Sequence, residues 1–146
     1  MPTTTRYRKR VEFSETDMAG IAHFTNFFRW MEAAEAELFE SLGTPLIETR
    51  NGVSCGWPRV RVQAEFHAPV QFRDEIEVEL TVKQVKIRAV EYAFRIFRLG
   101  GEEPVHVATG AMTTVFAKRH PETGAIESAS IPDELTAALE KLAVHQ

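Results

Sequence analysis

Asp17 is the residue around which chemistry could be built. It falls in a loop, Ser14 to Thr25, and a helix is expected to begin eight or nine residues after it. The first N–H groups of a helix have no intrahelical acceptor and carry partial positive charge. They can stabilise an oxyanion developing on a thioester carbonyl. A nearby carboxylate can attack that carbonyl or activate a water to do so. A loop aspartate beside a helix start is thus a sufficient minimal site for acyl transfer. The plainer reading, a turn-capping aspartate, stays open on spacing alone. His23, six residues on, could orient a substrate or assist proton transfer, or be a neutral residue hydrogen-bonded into the loop. Glu32 and Glu35 follow on the helix. Glu32 is placed to pair with Arg29, three residues earlier. Glu35, flanked by Ala34 and Ala36, reads as part of a solvated helix face.

Other chemical patterns are weaker. Gly52-Val53-Ser54-Cys55-Gly56 has the spacing of a nucleophile elbow, but that device needs a strand before it and a helix after it. Here Trp57-Pro58 and an alternating strand follow. Cys55 has no basic neighbour in sequence to lower its pKa. His23, His67, His106, His120 and His145 lack metal-ligand spacing, and no Walker or dinucleotide-binding glycine pattern occurs. No metal is expected. Arg59, Arg61, Lys83, Lys86, Arg88, Arg95 and Arg98 form a basic set, and Lys118-Arg119-His120 a second. Either could recognise phosphate or simply line a solvated strand face.

The elements that must position these residues follow from periodicity. Phe27, Met31, Ala34 and Leu38 share one apolar face, broadened by Phe28, Phe39 and Leu42, which predicts a helix over 26–42. Thr25 or Asn26 can cap its start, and Gly43 with Pro45 ends it. Arg6 to Phe13 reads as a first strand. Period-two alternation then marks strands at Val60–Phe66, Ile76–Val82 and Val90–Ile96, with a fourth long strand over 105–117. Gly100-Gly101 and His120 to Gly124 read as turns. A short helix with Leu135, Leu139 and Leu142 starts near Pro132. One long helix cannot shield its stripe alone, so the simplest α+β solution wraps a curved antiparallel sheet around it.

The 146 residues argue for a single domain spanning 1–146. With 17 basic and 21 acidic residues, net charge −4, the chain does not look like a nucleic-acid binder. The start of the sequence lacks the apolar stretch of a secretory leader, and no run approaches a membrane span. One cysteine permits no intrachain disulfide. A cytoplasmic location is expected, with no membrane partner.

The segment EFSETDMAGIAHFTNFFRWMEAAE, Glu12 to Glu35, resembles the signature of the 4-hydroxybenzoyl-CoA thioesterase family of hot-dog proteins. Phe13, Glu15-Thr16-Asp17, Gly20, Ile21-Ala22, His23-Phe24, Asn26 and Phe27 carry the likeness, and the element order fits from Tyr7 to Leu142. The resemblance implies a hot-dog fold and hydrolysis of an acyl-CoA or acyl-carrier-protein thioester. It places the catalytic carboxylate on Asp17 and the carbonyl-polarising backbone N–H near Phe24. His23 joins them as a candidate catalytic group, and Gly20 and Asn26 as residues shaping the pocket. Lys86 and Arg88 lie where the family often contacts CoA phosphates. CoA enters only as part of the substrate, and no other cofactor is implied. The family's active sites lie between subunits, so a homodimer or homotetramer is implied. Two departures stand out: Glu15 replaces the first aspartate, and His23-Phe24 replaces a frequent Tyr-His pair. Another hot-dog branch uses a helix glutamate, which keeps Glu32 and Glu35 in view. The rival functions are a hot-dog hydratase or dehydratase and a non-catalytic acyl-thioester binder.

Overall fold

Period and propensity sort the chain into the expected order, with additions. In the computed structural model, which describes residues 4–143, β1 (Thr5–Arg10) leads through a 3-10 turn at Phe13–Glu15 to α1 (Thr25–Ser41). There follow β2 (Glu48–Arg50), β3 (Val53–Gly56), β4 (Arg59–Phe66), β5 (Glu75–Val85), β6 (Ala89–Arg98) and β7 (Val105–Val115). Short strands β8 (Ala117–Arg119) and β9 (Ile126–Ser128) precede α2 (Asp133–Leu142). His145 and the two ends of the expected domain lie outside the described residues.

The main sheet is antiparallel, in the order β1-β5-β6-β7-β4. Ile76, Val78, Leu80 and Val82 on β5, and Val90, Tyr92, Phe94 and Ile96 on β6, all point into the core. They meet Phe27, Met31, Ala34 and Leu38 of α1, which are fully or almost fully buried. A Cβ at Gly110 on β7 would lie 2.1 Å from Met31 Cε, so the missing side chain lets α1 approach the sheet. This is the hot-dog arrangement, with α2 closing one side through Leu135 and Leu139.

Four expectations need correction. The first strand stops at Arg10, because Val11 turns inward and Phe13 enters the 3-10 turn. The fourth long strand stops at Val115: Phe116 donates its N–H to the Arg88 carbonyl, and Ala117–Arg119 joins a second sheet, β2-β3-β8-β9, that alternation did not predict. Neither Thr25 nor Asn26 caps α1, since both are already helical. Finally, the apolar positions of β4 are not all buried. Val60 is 62% exposed, at a bulge between Arg59 and Arg61 where it has no register partner, and Phe66 is 47% exposed on an edge strand with no neighbour on its outer side. No helix among the described residues is long and apolar enough to cross a membrane.

Candidate active site

Asp17 sits at the start of a tight turn. Its N–H donates to the Ile21 carbonyl at 2.9 Å, and Gly20 N–H donates to the Asp17 carbonyl at 3.0 Å. Gly20 closes the turn at φ +81°, a conformation that favours glycine. Asp17 Oδ1 accepts the Ala19 N–H at 2.8 Å. The turn-capping role is therefore real, but it occupies one oxygen. Oδ2 has no protein partner among the described residues, and the side chain is exposed.

Glu15 ties this turn to the rest of the molecule. Its carboxylate accepts from Lys9 Nζ at 2.7 Å, Trp30 Nε1 at 2.7 Å and the Glu12 N–H at 2.8 Å. Burial would raise its pKa. The donors and the charge of Lys9 outweigh that and hold it below the usual carboxylate value. Its carbonyl accepts the His23 N–H and Asn26 Nδ2, both at 2.8 Å. The glutamate in place of the family's aspartate thus locks β1, the turn and α1 together. Asn26, expected to shape the pocket, is buried and spends its amide on this knot.

The side chain that accepts a backbone N–H at the start of α1 is that of His23, not of Thr25 or Asn26. Its Nδ1 accepts the Thr25 N–H at 3.3 Å and lies 2.7 Å from Thr25 Oγ1. The backbone donor makes Nδ1 an acceptor, which leaves the proton on Nε2. The ring packs on Phe24 with centroids 4.6 Å apart. Phe24 itself stands at the position before α1, and its own N–H meets no acceptor among the described residues. This is the donor that the family resemblance assigns to the carbonyl.

Asp17 and Phe24 line one cavity of about 480 Å³, with Ile21, Phe27, Phe66 and His67 among its other walls. The turn is held against this wall by Ala22 N–H, which donates to the Val70 carbonyl at 2.7 Å. The loop and helix start therefore bring Asp17, Gly20, His23, Phe24 and Asn26 together. Lys86 and Arg88 are not with them. They occupy the turn between β5 and β6, at the far end of the sheet, where Lys86 pairs with Glu91 at 3.1 Å and Arg88 reaches Ser128 at 3.1 Å. At the usual strand rise, the 11 residues of β5 separate the two ends by about 33 Å.

That far end has a pocket of its own, about 370 Å³, lined by residues that include Glu32, Trp57, Arg59, Lys118 and Arg119. Behind it lies Glu35, whose side chain is 0% exposed. Its expected solvated setting is wrong: the residue is four positions after Met31 and three before Leu38, on the buried face of α1. Glu35 pairs with Arg59, which also donates to the Trp57 carbonyl at 2.6 Å. Glu35 Oε2, Arg59 Nε, Tyr92 Oη and Thr114 Oγ1 are buried without a hydrogen-bond partner among the described residues. Burial lifts the Glu35 carboxyl to about 7, with Arg59 opposing and Glu32 reinforcing the rise. The buried tyrosine is pushed above its ordinary range by the same desolvation. Ser54 lies on β3 inside a hairpin, with no helix after it, so the elbow pattern has no elbow.

Comparison with known proteins gives one consistent answer. A model of the thioesterase-like superfamily matches residues 11–139. A protein of Aquifex aeolicus, provisionally named an esterase, is 33% identical over 94 residues, covering 63% of this chain and 71% of that one. The 4-hydroxybenzoyl-CoA thioesterase of Pseudomonas sp. strain CBS-3 is 31% identical over 80 residues, covering 53% of this chain and 56% of that one. The solved structure of the dynemicin thioesterase superposes with a TM-score of 0.82 at 21% identity, over 99% of this chain and 100% of that one. At that identity the likeness establishes the fold.

Proposed function

The chain belongs to the thioesterase-like superfamily, and on that premise we propose that it hydrolyses acyl-CoA thioesters with Asp17 as the catalytic carboxylate. The observation that carries this reading is the pairing of a free carboxylate oxygen with the uncommitted Phe24 N–H on the wall of one cavity. The N–H polarises the thioester carbonyl and receives the developing oxyanion. Asp17 takes a proton from the attacking water, or itself attacks and is released by water in a second step. Either route consumes one water and yields a carboxylic acid and a free thiol. The scheme calls for no metal and no cofactor beyond the CoA of the substrate. His23 holds the helix start in place, with Nε2 left to meet the substrate.

The working unit in this proposal is a homodimer joined along β4. An edge strand with unpaired backbone groups and exposed apolar side chains needs cover. The Phe66 end of β4 borders the Asp17 cavity and the Arg59 end borders the second pocket, about 23 Å away along eight residues. Antiparallel pairing of two β4 strands lays the Arg59 end of one copy beside the Phe66 end of the other. The two half-sites then join, and Lys86 and Arg88 of a second copy come within reach of a CoA whose thioester lies at Asp17. A CoA recognised this way spans both copies. We place the enzyme in the cytoplasm, consistent with its single, unpaired Cys55. The name of the Pseudomonas relative suggests an aromatic acyl group, and the Phe24, Phe27 and Phe66 side chains suit one.

Thiol release from 4-hydroxybenzoyl-CoA, benzoyl-CoA and straight-chain acyl-CoA esters tests the reaction. Turnover of at least one is expected, and none would end the proposal. Sedimentation tests the assembly: a species that stays at the 16.5 kDa monomer mass at micromolar concentration would sink the joined site.

A further inference from the structure

The pocket at the Arg59 end is mostly apolar in its walls, with Leu46, Ile47, Trp57 and Ile126 among its lining residues. An arginine in such a wall is ordinarily a receptor for carboxylate, because its planar fork matches two carboxylate oxygens and apolar surroundings strengthen the charge. Arg59 is not free to act so. One of its terminal nitrogens is held by Glu35 from behind, and the other by the Trp57 carbonyl at 2.6 Å. Glu35 is fully buried, so no ligand in the pocket can displace it from the open side. Glu32, exposed at the mouth of the pocket, adds a second, solvent-screened negative charge 3.8 Å from the same guanidinium. The other polar groups packed around the pair, Tyr92 of β6 and Thr114 of β7, are uncharged. Lys118 and Arg119 are exposed, where water and salt screen them.

We infer that the Glu35–Arg59 pair sets which acyl groups the enzyme accepts: the pocket takes acyl groups with a neutral far end and turns away those ending in a carboxylate. The inference rests on the reading above and extends it: the ring of an acyl group held at the Asp17 of one copy lies against Phe66, and its far end enters this pocket of the second copy. Glu35 touches no substrate. It acts through Arg59, by cancelling a charge that would otherwise bind an anion. Its reach is therefore selective: it alters discrimination between charged and neutral acyl groups and leaves the reacting groups alone.

The test compares 4-carboxybenzoyl-CoA with 4-methylbenzoyl-CoA, which differ at the far end of one ring. The wild-type protein is expected to favour the methyl compound in kcat/KM. At pH 9, where wild-type Glu35 is ionised, Glu35→Gln should raise the relative kcat/KM of the carboxyl compound by roughly 10- to 100-fold, the worth of one charge-assisted hydrogen bond. Adding Arg59→Met to that variant should remove the gain. A relative preference that does not move in Glu35→Gln overturns the inference, as does a gain that survives the loss of Arg59. A purely structural role would lower both substrates alike. The wild type supplies a readout that needs no variant. Protonation of Glu35 releases Arg59, so the carboxyl compound should do relatively better at pH 6 than at pH 8. A ratio flat between those values also overturns the inference. If wild type releases no thiol from either ester, the proposed reaction itself fails. If it cleaves both and the ratio stays fixed, only the role of the pair falls.

Discussion

Asp17 and Glu35, on either side of the first half of α1, are carboxylates in opposite settings. Asp17 stands exposed on a turn, with one oxygen pinned by Ala19 and the other open, and it shares a cavity wall with Phe24, whose N–H is unused. Glu35 is sealed under the sheet against Arg59, with its carboxyl lifted to about 7. A shifted pKa in or near a cleft is a usual pointer to catalysis. In the proposed scheme it points to the carboxylate that takes no part, since Glu35 is fully buried. The scheme needs an accessible oxygen and an oxyanion donor on one cavity wall, and the Asp17 end offers both. Rigidity there comes from neighbours: Lys9, Trp30 and Asn26 fix Glu15, and Glu15 fixes the turn.

The largest expected effect separates the two directly. Asn preserves the shape of Asp17 while removing its basicity and most of its nucleophilicity. Asp17→Asn should lower kcat by at least about 10²-fold with little change in KM, as for loss of a general base. Glu35→Gln, assayed on a neutral acyl-CoA, should lower it by less than about tenfold. Thiol release by the two variants decides the matter. Near wild-type turnover in Asp17→Asn, with loss in Glu35→Gln, would reverse the roles assigned to the two ends.

The second expected effect concerns stability. The folded pKa of Glu35 lies above its ordinary value of 4.5, so the folded state binds the proton more tightly than the unfolded chain. The resulting stabilisation is fully present below about pH 4.5 and is lost as pH rises through about 7. Its size is on the order of 3 kcal/mol. Glu35→Gln cannot titrate. The stability of wild type relative to Glu35→Gln should therefore fall between pH 5 and pH 8, measured by chemical denaturation at each pH. A constant or rising difference would mean that Arg59 holds Glu35 ionised throughout.

These two residues also show what the sequence could and could not tell. Helical spacing alone puts Glu35 on the buried face, in line with Met31 and Leu38, yet its alanine neighbours suggest solvent. The signal was present and outvoted. Its partner Arg59 lies 24 residues away and meets it only because β4 packs beside α1. Asp17, Gly20 and Phe24 were legible because a turn and a helix start are local. The β2–β3 hairpin was not expected, although its turn is local: Asn51 and Gly52, both at positive φ, form the two-residue connection between Arg50 and Val53. By contrast, β9 has three exposed residues and no alternation to read. Alternation in β4 gave the face of Val62 to Phe66 but neither its exposure nor the bulge between Arg59 and Arg61 that turns Arg59 to Glu35, because a period of two reports which way a side chain points in a regular strand and not whether a neighbouring strand covers it.

A smaller effect is expected from the basic turn. Lys86→Ala with Arg88→Ala should raise KM for acyl-CoA several-fold while kcat changes little, since phosphate contacts far from the reacting atoms hold ground and transition states alike. The comparison sharpens if the same double variant keeps its KM for an acyl-pantetheine, which lacks the nucleotide. An unchanged KM for acyl-CoA would place nucleotide recognition elsewhere, with Lys118 and Arg119 next to be examined.

The smallest expected effect is at Ser54. This serine lines the Arg59 pocket and carries the nucleophile-elbow spacing, so it is a candidate to make that end a second reaction centre. Its setting argues against it. Ser54 pairs with Thr49 in the regular register of the β2–β3 hairpin, and Trp57-Pro58 and then β4 follow where an elbow would need a helix. No histidine is among the residues lining the pocket, so no imidazole is placed there to take the hydroxyl proton. Replacing an exposed hydroxyl on a short strand should also cost little stability, within about 0.5 kcal/mol. Ser54→Ala should therefore leave kcat within about twofold of wild type, against the 10²-fold or more expected at Asp17. The measurement is thiol release by the two variants on one substrate, with melting curves to confirm folding. A folded Ser54→Ala protein that had lost turnover would move the chemistry from the turn before α1 to the pocket behind β3.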